Sequence, residues 1–289
     1  MNNRNCGCSY KYILLAFMTL RHRPYNVYMA LITVLGIPAS IYVASIIILF
    51  FQHLDEPVSW PLISASMFLT MSLYSFHRSS IKSSEGMQCR HKLALKFQNS
   101  FKRFSLVTAI ISCVCFVVLN PSYLIFPLLG FIGVSFYSRE IVCHSFFDCK
   151  ILLKPLRNYP IIKPIAIGGG IAFFAWCLIS LTTGVVSGPS VLLATIIAAI
   201  FCSCDALICD LEDIEFDLSS GCKTLASQMQ LKNVWLLTSL CVVLLSFLLS
   251  LKIQLIIICL IPLPFFKMFD TRLIVDLRPA LVLLIAWLI

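Results

Sequence analysis

Charge is what this sequence has least of. Only 12% of its 289 residues are Asp, Glu, Lys or Arg, about half the share found in soluble domains. So little polar surface cannot cover a water-soluble globule, which excludes a soluble enzyme or binding module. The apolar content of 60% excludes the opposite case, since disordered chains are poor in Leu, Ile, Val and Phe. A mean hydropathy of +0.94 leaves a polytopic membrane protein, in which every ionisable side chain is costly and therefore informative. A disulfide framework is also missing. Of the 14 cysteines, Cys113, Cys115, Cys177, Cys202, Cys241 and Cys259 sit inside apolar runs, where a thiol behaves as a small buried hydrophobe. Cys6-Gly-Cys8 reads as a reduced terminal pair, with acylation or metal binding as the alternative. The net charge of +9 is explained by positive-inside loops rather than by nucleic acid. No cleavable signal peptide is expected, because the apolar stretch Tyr12–Leu20 is brief. Residues 1–24 read as an interfacial lead-in.

A spanning helix needs about 20 apolar residues. Nine segments qualify: Tyr25–Phe51, Pro61–Phe76, Phe104–Leu119, Leu124–Tyr137, Ile161–Leu181, Val191–Ile208, Val234–Leu251, Ile253–Phe269 and Leu273–Ile289. The third and fourth are divided only by Asn120-Pro121, which suits a tight hairpin. Nine spans put all but Lys252 of the 22 Lys and Arg on one side, while Asp55 and Glu56 lie on the other. This asymmetry predicts a cytoplasmic amino terminus, with the chemistry on the cytoplasmic face of the inner or plasma membrane. The expected fold is all-α, one domain over residues 1–289.

After the sixth span, five of the 13 acidic residues fall within positions 210–217. On a continuous helix Asp210, Asp213 and Asp217 share an arc of roughly 60° over about 10 Å of rise. Like charges so placed repel. Hard oxygen donors on adjacent turns suit Mg²⁺, with water and phosphate completing its shell. The alternative is a solvated helix end. Gly221, Lys223 and Thr224 follow closely and offer backbone N–H groups, an ammonium and a hydroxyl to a phosphate.

Asp210-x2-Asp213-x3-Asp217, followed by Gly221-x-Lys223-Thr224-Leu225, resembles the second aspartate motif of the UbiA superfamily of intramembrane prenyltransferases. The run Leu156-Arg157-Asn158-Tyr159-Pro160-Ile161-Ile162-Lys163, with Trp176 beyond it, is similar to that family's entry into its fifth helix. The resemblance implies nine helices around a central cavity. It also implies Mg²⁺-dependent transfer of an isoprenoid chain from a prenyl diphosphate to an aromatic or lipid acceptor. Asp210, Asp213 and Asp217 would hold the metal, with Lys163 and Lys223 on the diphosphate. The family's first motif, an Asn and two Asp at spacings of four, falls here on His77, Ile81 and Glu85. Ile81 cannot bind a cation, His77 suits Mg²⁺ poorly, and only Glu85 keeps a metal-ligand character. Tyr74 and Arg78 retain the frame of some family members, which puts Tyr74 and His77 at the substrate. Arg78 and Lys82 then become candidates to replace a lost metal by binding phosphate oxygens directly.

Two other readings follow from the same residues. A non-catalytic relative would bind a polyprenyl lipid without turning it over. A transporter would need ionisable residues through mid-membrane, and these are scarce. The Gly168-Gly169-Gly170 run fits close helix approach better than a broken transport helix. Asp205 could orient Asp210 or take a proton from the acceptor. His144 and Asp148 could form an acid–base pair. Asp276 and Arg278 are expected to satisfy each other or snorkel.

Overall fold

A computed structural model describes residues 27–82, 87–144, 150–184, 188–229, 231–246 and 271–288. The first predicted span is two helices, α1 (Val27–Val34) and α2 (Ile37–His53). Gly36 separates them with φ +74°, a conformation glycine adopts without strain. A Cβ at Gly36 would also press on Tyr74, so this bend lets the second span approach closely. That span is α3 (Trp60–Arg78), opened by Pro61 in its first turn, where no N–H is needed. A short helix α4 (Cys89–Lys96) leads into α5 (Gln98–Leu119). The predicted hairpin follows. Asn120 is extended and its side chain accepts the Ser122 N–H at 2.9 Å, and Pro121 starts a 3₁₀ turn into α6 (Ile125–Ser138).

The all-helical expectation meets one exception. Ile141–His144 (β1) and Lys150–Leu153 (β2) pair antiparallel as a small ribbon in the loop after α6. A 3₁₀ turn at Leu156–Asn158 then leads into α7 (Ile162–Thr183) and α8 (Pro189–Asp210). Next come α9 (Ile214–Ser219), α10 (Leu225–Gln228), α11 (Leu231–Ser246) and α12 (Thr271–Leu288). Among the described residues, four segments are long and apolar enough to cross a membrane: Gln98–Leu119, Pro121–Ser138, Ile162–Thr183 and Pro189–Asp210. Helix α2 is apolar but shorter. The predicted eighth span, Ile253–Phe269, lies outside the described residues, as do Cys6, Cys8, Asp148 and Lys252.

Small residues bring the helices together. Ser72 of α3 and Ser105 of α5 exchange hydroxyl-to-carbonyl bonds at 2.7 and 2.8 Å, and Ser112 donates to the Ala65 carbonyl at 2.9 Å. With no water in the bilayer, such pairings give polar groups partners inside the protein. Gly168 of α7 is where α8 crosses. Any Cβ there would collide with Ser203 and the Ala199 carbonyl, whereas Gly169 and Gly170 face open space. The main core gathers Tyr42, Ile47, Phe51, Leu62, Leu178 and Phe201 from α2, α3, α7 and α8. By contrast Leu106, Val107, Ile110, Val114 and Val118 of α5 are exposed. In a membrane protein that face meets lipid.

Candidate functional site

The acidic segment does not form the continuous helix that the spacing suggested. Helix α8 ends at Asp210, a turn covers 211–213, and α9 starts afresh with Asp213 at its N-cap. Asp210, Asp213 and Asp217 are all buried but do not line one stripe. Like charges would repel along one helix; the break turns Asp213 to cations of its own, while Asp210 and Asp217 share another.

Asp210 and Asp217 share one partner. The Lys163 ammonium sits 2.8 Å from Asp210 Oδ1 and 2.7 Å from Asp217 Oδ2. Lys163 lies five residues before Gly168, and Asp210 seven after Ser203. The close α7–α8 crossing therefore sets the reach of this bridge. Burial pushes the Asp217 carboxyl above its ordinary range, against the lowering effect of Lys163. Asp210 Oδ2 is buried without a hydrogen-bond donor.

Asp213 turns elsewhere. Arg90 Nη2 of α4 donates to Asp213 Oδ1 at 2.6 Å, and Arg272 Nη1 of α12 donates to Oδ2 at 3.1 Å. Burial alone would raise this carboxyl, but Arg90 and then Arg272 hold it well below the usual carboxylate range. Arg90 also reaches Glu212 at 3.2 Å. His91 Nε2 stands 3.5 Å from Asp213, and the His91 ring stacks on Phe216 at 4.0 Å between centroids. Its Nδ1 accepts the Gln88 N–H at 3.3 Å in the capping box of α4. Burial lowers the His91 pKa to about 2, with Asp213 only partly opposing and Arg78, Arg90 and Arg272 adding to the fall. His91 is neutral there at physiological pH.

At the end of α3, Arg78 is 5% exposed. Its Nη2 donates to the Tyr74 hydroxyl at 2.9 Å, and its guanidinium lies 5.1 Å from the centre of that ring. Its Nε has no partner, and among the described residues no carboxylate pairs with it. Arg157, half-buried before α7, is in the same condition. His77 shares a 2.6 Å hydrogen bond through Nδ1 with Ser138 Oγ and leans on Tyr137. Ile81 packs in an apolar cluster with Val34, Ala94, Phe101 and Phe216, so this position of the first motif is a packing residue. Glu85 lies outside the described residues.

Lys82 and Lys223 are exposed, apart from the buried acids. Thr224 is spent locally, its hydroxyl accepting the Ser227 N–H at 3.1 Å to cap α10. Asp205 faces neither Asp210 nor the site. Its Oδ1 lies 2.9 Å from Arg278 Nη1 and its Oδ2 accepts the Tyr42 hydroxyl at 3.0 Å, tying α8 to α12 and α2. Arg278 therefore reaches across to α8 as well as lying over the Phe201 ring.

Whether Mg²⁺ fits depends on the free donors. Among the described residues, no group of three or more His, Cys, Asp or Glu is arranged for a metal. Asp210 and Asp217 do converge, with the Lys163 ammonium between them and one buried acid oxygen unpartnered. Two carboxylates completed by phosphate and water are an ordinary Mg²⁺ set. These two acids fit the ion; Asp213, taken by two arginines, does not contribute.

A model of the UbiA prenyltransferase family matches residues 95–280, which contain Asp210, Asp213, Asp217, Lys163 and Arg272. The chain belongs to the UbiA prenyltransferase family. No curated protein and no solved structure matched it. The family match begins after the His77–Glu85 stretch, so it rests on the half that holds the acids. The sequence reading missed Arg90, His91, Glu212 and Arg272 as members of this ionic cluster. Arg90 is over a hundred residues from Asp213, and nothing in its local pattern distinguishes it from other loop cations.

Proposed function

We propose that this UbiA family member is a prenyltransferase that moves an isoprenoid chain from its diphosphate to an aromatic or lipid acceptor. The observation that carries the reading is the Asp210–Lys163–Asp217 bridge, buried at the end of α8, in a chain that also holds two guanidiniums without acid partners among the described residues. Breaking the allylic C–O bond leaves the electron pair on the diphosphate, and the site must stabilise that growing negative charge. Lys163 and Arg78 are suited to it, being fixed cations screened from water. When bound, Mg²⁺ on Asp210 and Asp217 supplies further charge to the leaving group. The acceptor forms the new bond at the prenyl carbon and gives its proton to solvent. Asp205 is occupied by Arg278 and Tyr42, so its part is to hold α12 in place. The site faces the cytoplasm if the lysine and arginine asymmetry sets orientation.

The test is turnover by purified protein in detergent, using prenyl diphosphates of several lengths with and without Mg²⁺. Prenylated product that disappears in chelator is the expected result. One observation favours a second reading: Ile81 stands where a carboxylate would assist. Tight binding of a prenyl thiodiphosphate without turnover of any donor would make the chain a lipid-binding relative instead.

A further inference from the structure

The cations and acids at this site do not pair off evenly. Asp213 and Glu212 are matched by Arg90 and Arg272, while Asp210 and Asp217 share the single positive charge of Lys163. Arg78 and Arg157 remain, with no acid partner among the described residues and with a buried Nε each. Arg78 is the more telling, because it is 5% exposed and carries its charge into the protein with only a phenol oxygen for company. A charge so buried is costly unless an opposite charge arrives. Ile81, three residues after Arg78, packs on Phe216 beside Asp217, and Asn158, next to Arg157, accepts the Cys222 thiol at 3.0 Å, so the two arginines approach the acid segment from α3 and from the start of α7. His77 and Ile81, beside Arg78, offer a cation no oxygen.

We propose that Arg78, with Arg157, is a standing anion site that takes the diphosphate before any metal arrives, and that only one divalent ion joins it, on Asp210 and Asp217. This rests on the prenyl-diphosphate reading and deepens it. The order of binding follows from charge. The acids already hold Lys163 between them, so a metal alone must displace an ammonium from two contacts. An incoming diphosphate instead meets two unpaired guanidiniums, and it can draw Lys163 off the acids, opening their oxygens to the ion. Diphosphate binding is therefore metal-independent in its first step, and metal binding is diphosphate-dependent.

The experiment uses the full chain in detergent, with inorganic pyrophosphate and a prenyl thiodiphosphate as probes. Calorimetry is run in chelator and in Mg²⁺, and bound Mn²⁺ is counted by electron paramagnetic resonance. Measurable pyrophosphate binding in chelator is expected, together with one Mn²⁺ per chain that appears only when pyrophosphate is present. Arg78→Met should weaken the metal-free binding roughly tenfold to a hundredfold, the size expected for charge-assisted hydrogen bonds. Arg78→Lys guards against misfolding, because it keeps the charge and should recover part of the affinity. Binding only in the presence of metal, two Mn²⁺ per chain, or undiminished affinity in Arg78→Met would overturn the proposal while leaving prenyl transfer standing. No binding of either probe under any condition would sink the prenyl-diphosphate reading itself.

Discussion

Two ionic clusters lie five residues apart on α8, and they differ in how their charges close. At Asp205 one carboxylate meets one guanidinium and one phenol, all deeply buried, and the cluster is neutral by itself. At Asp210 the carboxylate shares a single ammonium with Asp217, and nearby Arg78 and Arg157 have no acid partner among the described residues. The same chemical groups thus serve a fastening in one place and a vacancy for an anion in the other. What separates them is the count of charges, since burial makes each uncompensated one expensive.

The sharpest way to break that comparison is to open the closed cluster. Asp205→Ala strands the Arg278 guanidinium and should cost about 3–5 kcal/mol of stability, read as a lower melting temperature in detergent. The Asp205→Leu/Arg278→Met double variant should recover most of it. Full activity in a stable Asp205→Ala protein would contradict a fastening role. The open cluster should respond the other way. Asp217→Asn leaves Lys163 paired with Asp210, so melting changes little, while Mg²⁺-dependent turnover falls on the order of a hundredfold or more, as when an electrostatic stabiliser is lost.

Asp213→Asn falls between these extremes. Glu212 still pairs with Arg90, so stability should drop by only about 1–3 kcal/mol, the cost of leaving one charged partner short. A greater loss of metal binding than of melting temperature would move Asp213 from the structural to the metal-binding side. The pH dependence probes the same place. His91 is held neutral, its pKa lowered from 6.5 to about 2. A native pKa below the unfolded one means stability is complete above pH 6.5 and is lost as pH falls towards 2, at about 1.4 kcal/mol per pH unit below 6.5. His91→Gln should flatten melting temperature between pH 6.5 and 4, above the range where carboxylate protonation takes over. The smallest effects are expected from Lys82→Ala and Lys223→Ala. Both side chains are exposed, so diphosphate affinity should change by no more than about twofold.

Much of the frame was legible along the chain. Apolar runs of spanning length marked α5, α6, α7 and α8, a less apolar run marked α3, and Asn120-Pro121 marked the hairpin. The first span was misjudged as continuous because hydropathy does not register backbone sign, and Gly36 bends there at φ +74°. The aspartate spacing located the site but not its geometry. It assumed one helix through 210–217, whereas the chain breaks after Asp210 and lets Asp213 turn to Arg90 and Arg272. Arg78 was expected at the diphosphate from its place after Tyr74, and the structure buries it against that phenol. Lys82 was proposed on the same grounds, yet four residues on, past the end of α3, it projects outward.

Composition and periodicity alone determined that this chain lives in a membrane, that it is built of helices, and that its acids gather after the apolar run that forms α8. Those properties are sums over many residues, or belong to a short stretch. Tertiary structure decided which cation meets which carboxylate. Lys163, Arg90, Arg272 and Arg278 come from three helices, and a charge interaction depends on distance through space rather than along the chain. For that reason the aspartates could be read from the sequence, and the unpaired arginines only from the folded protein.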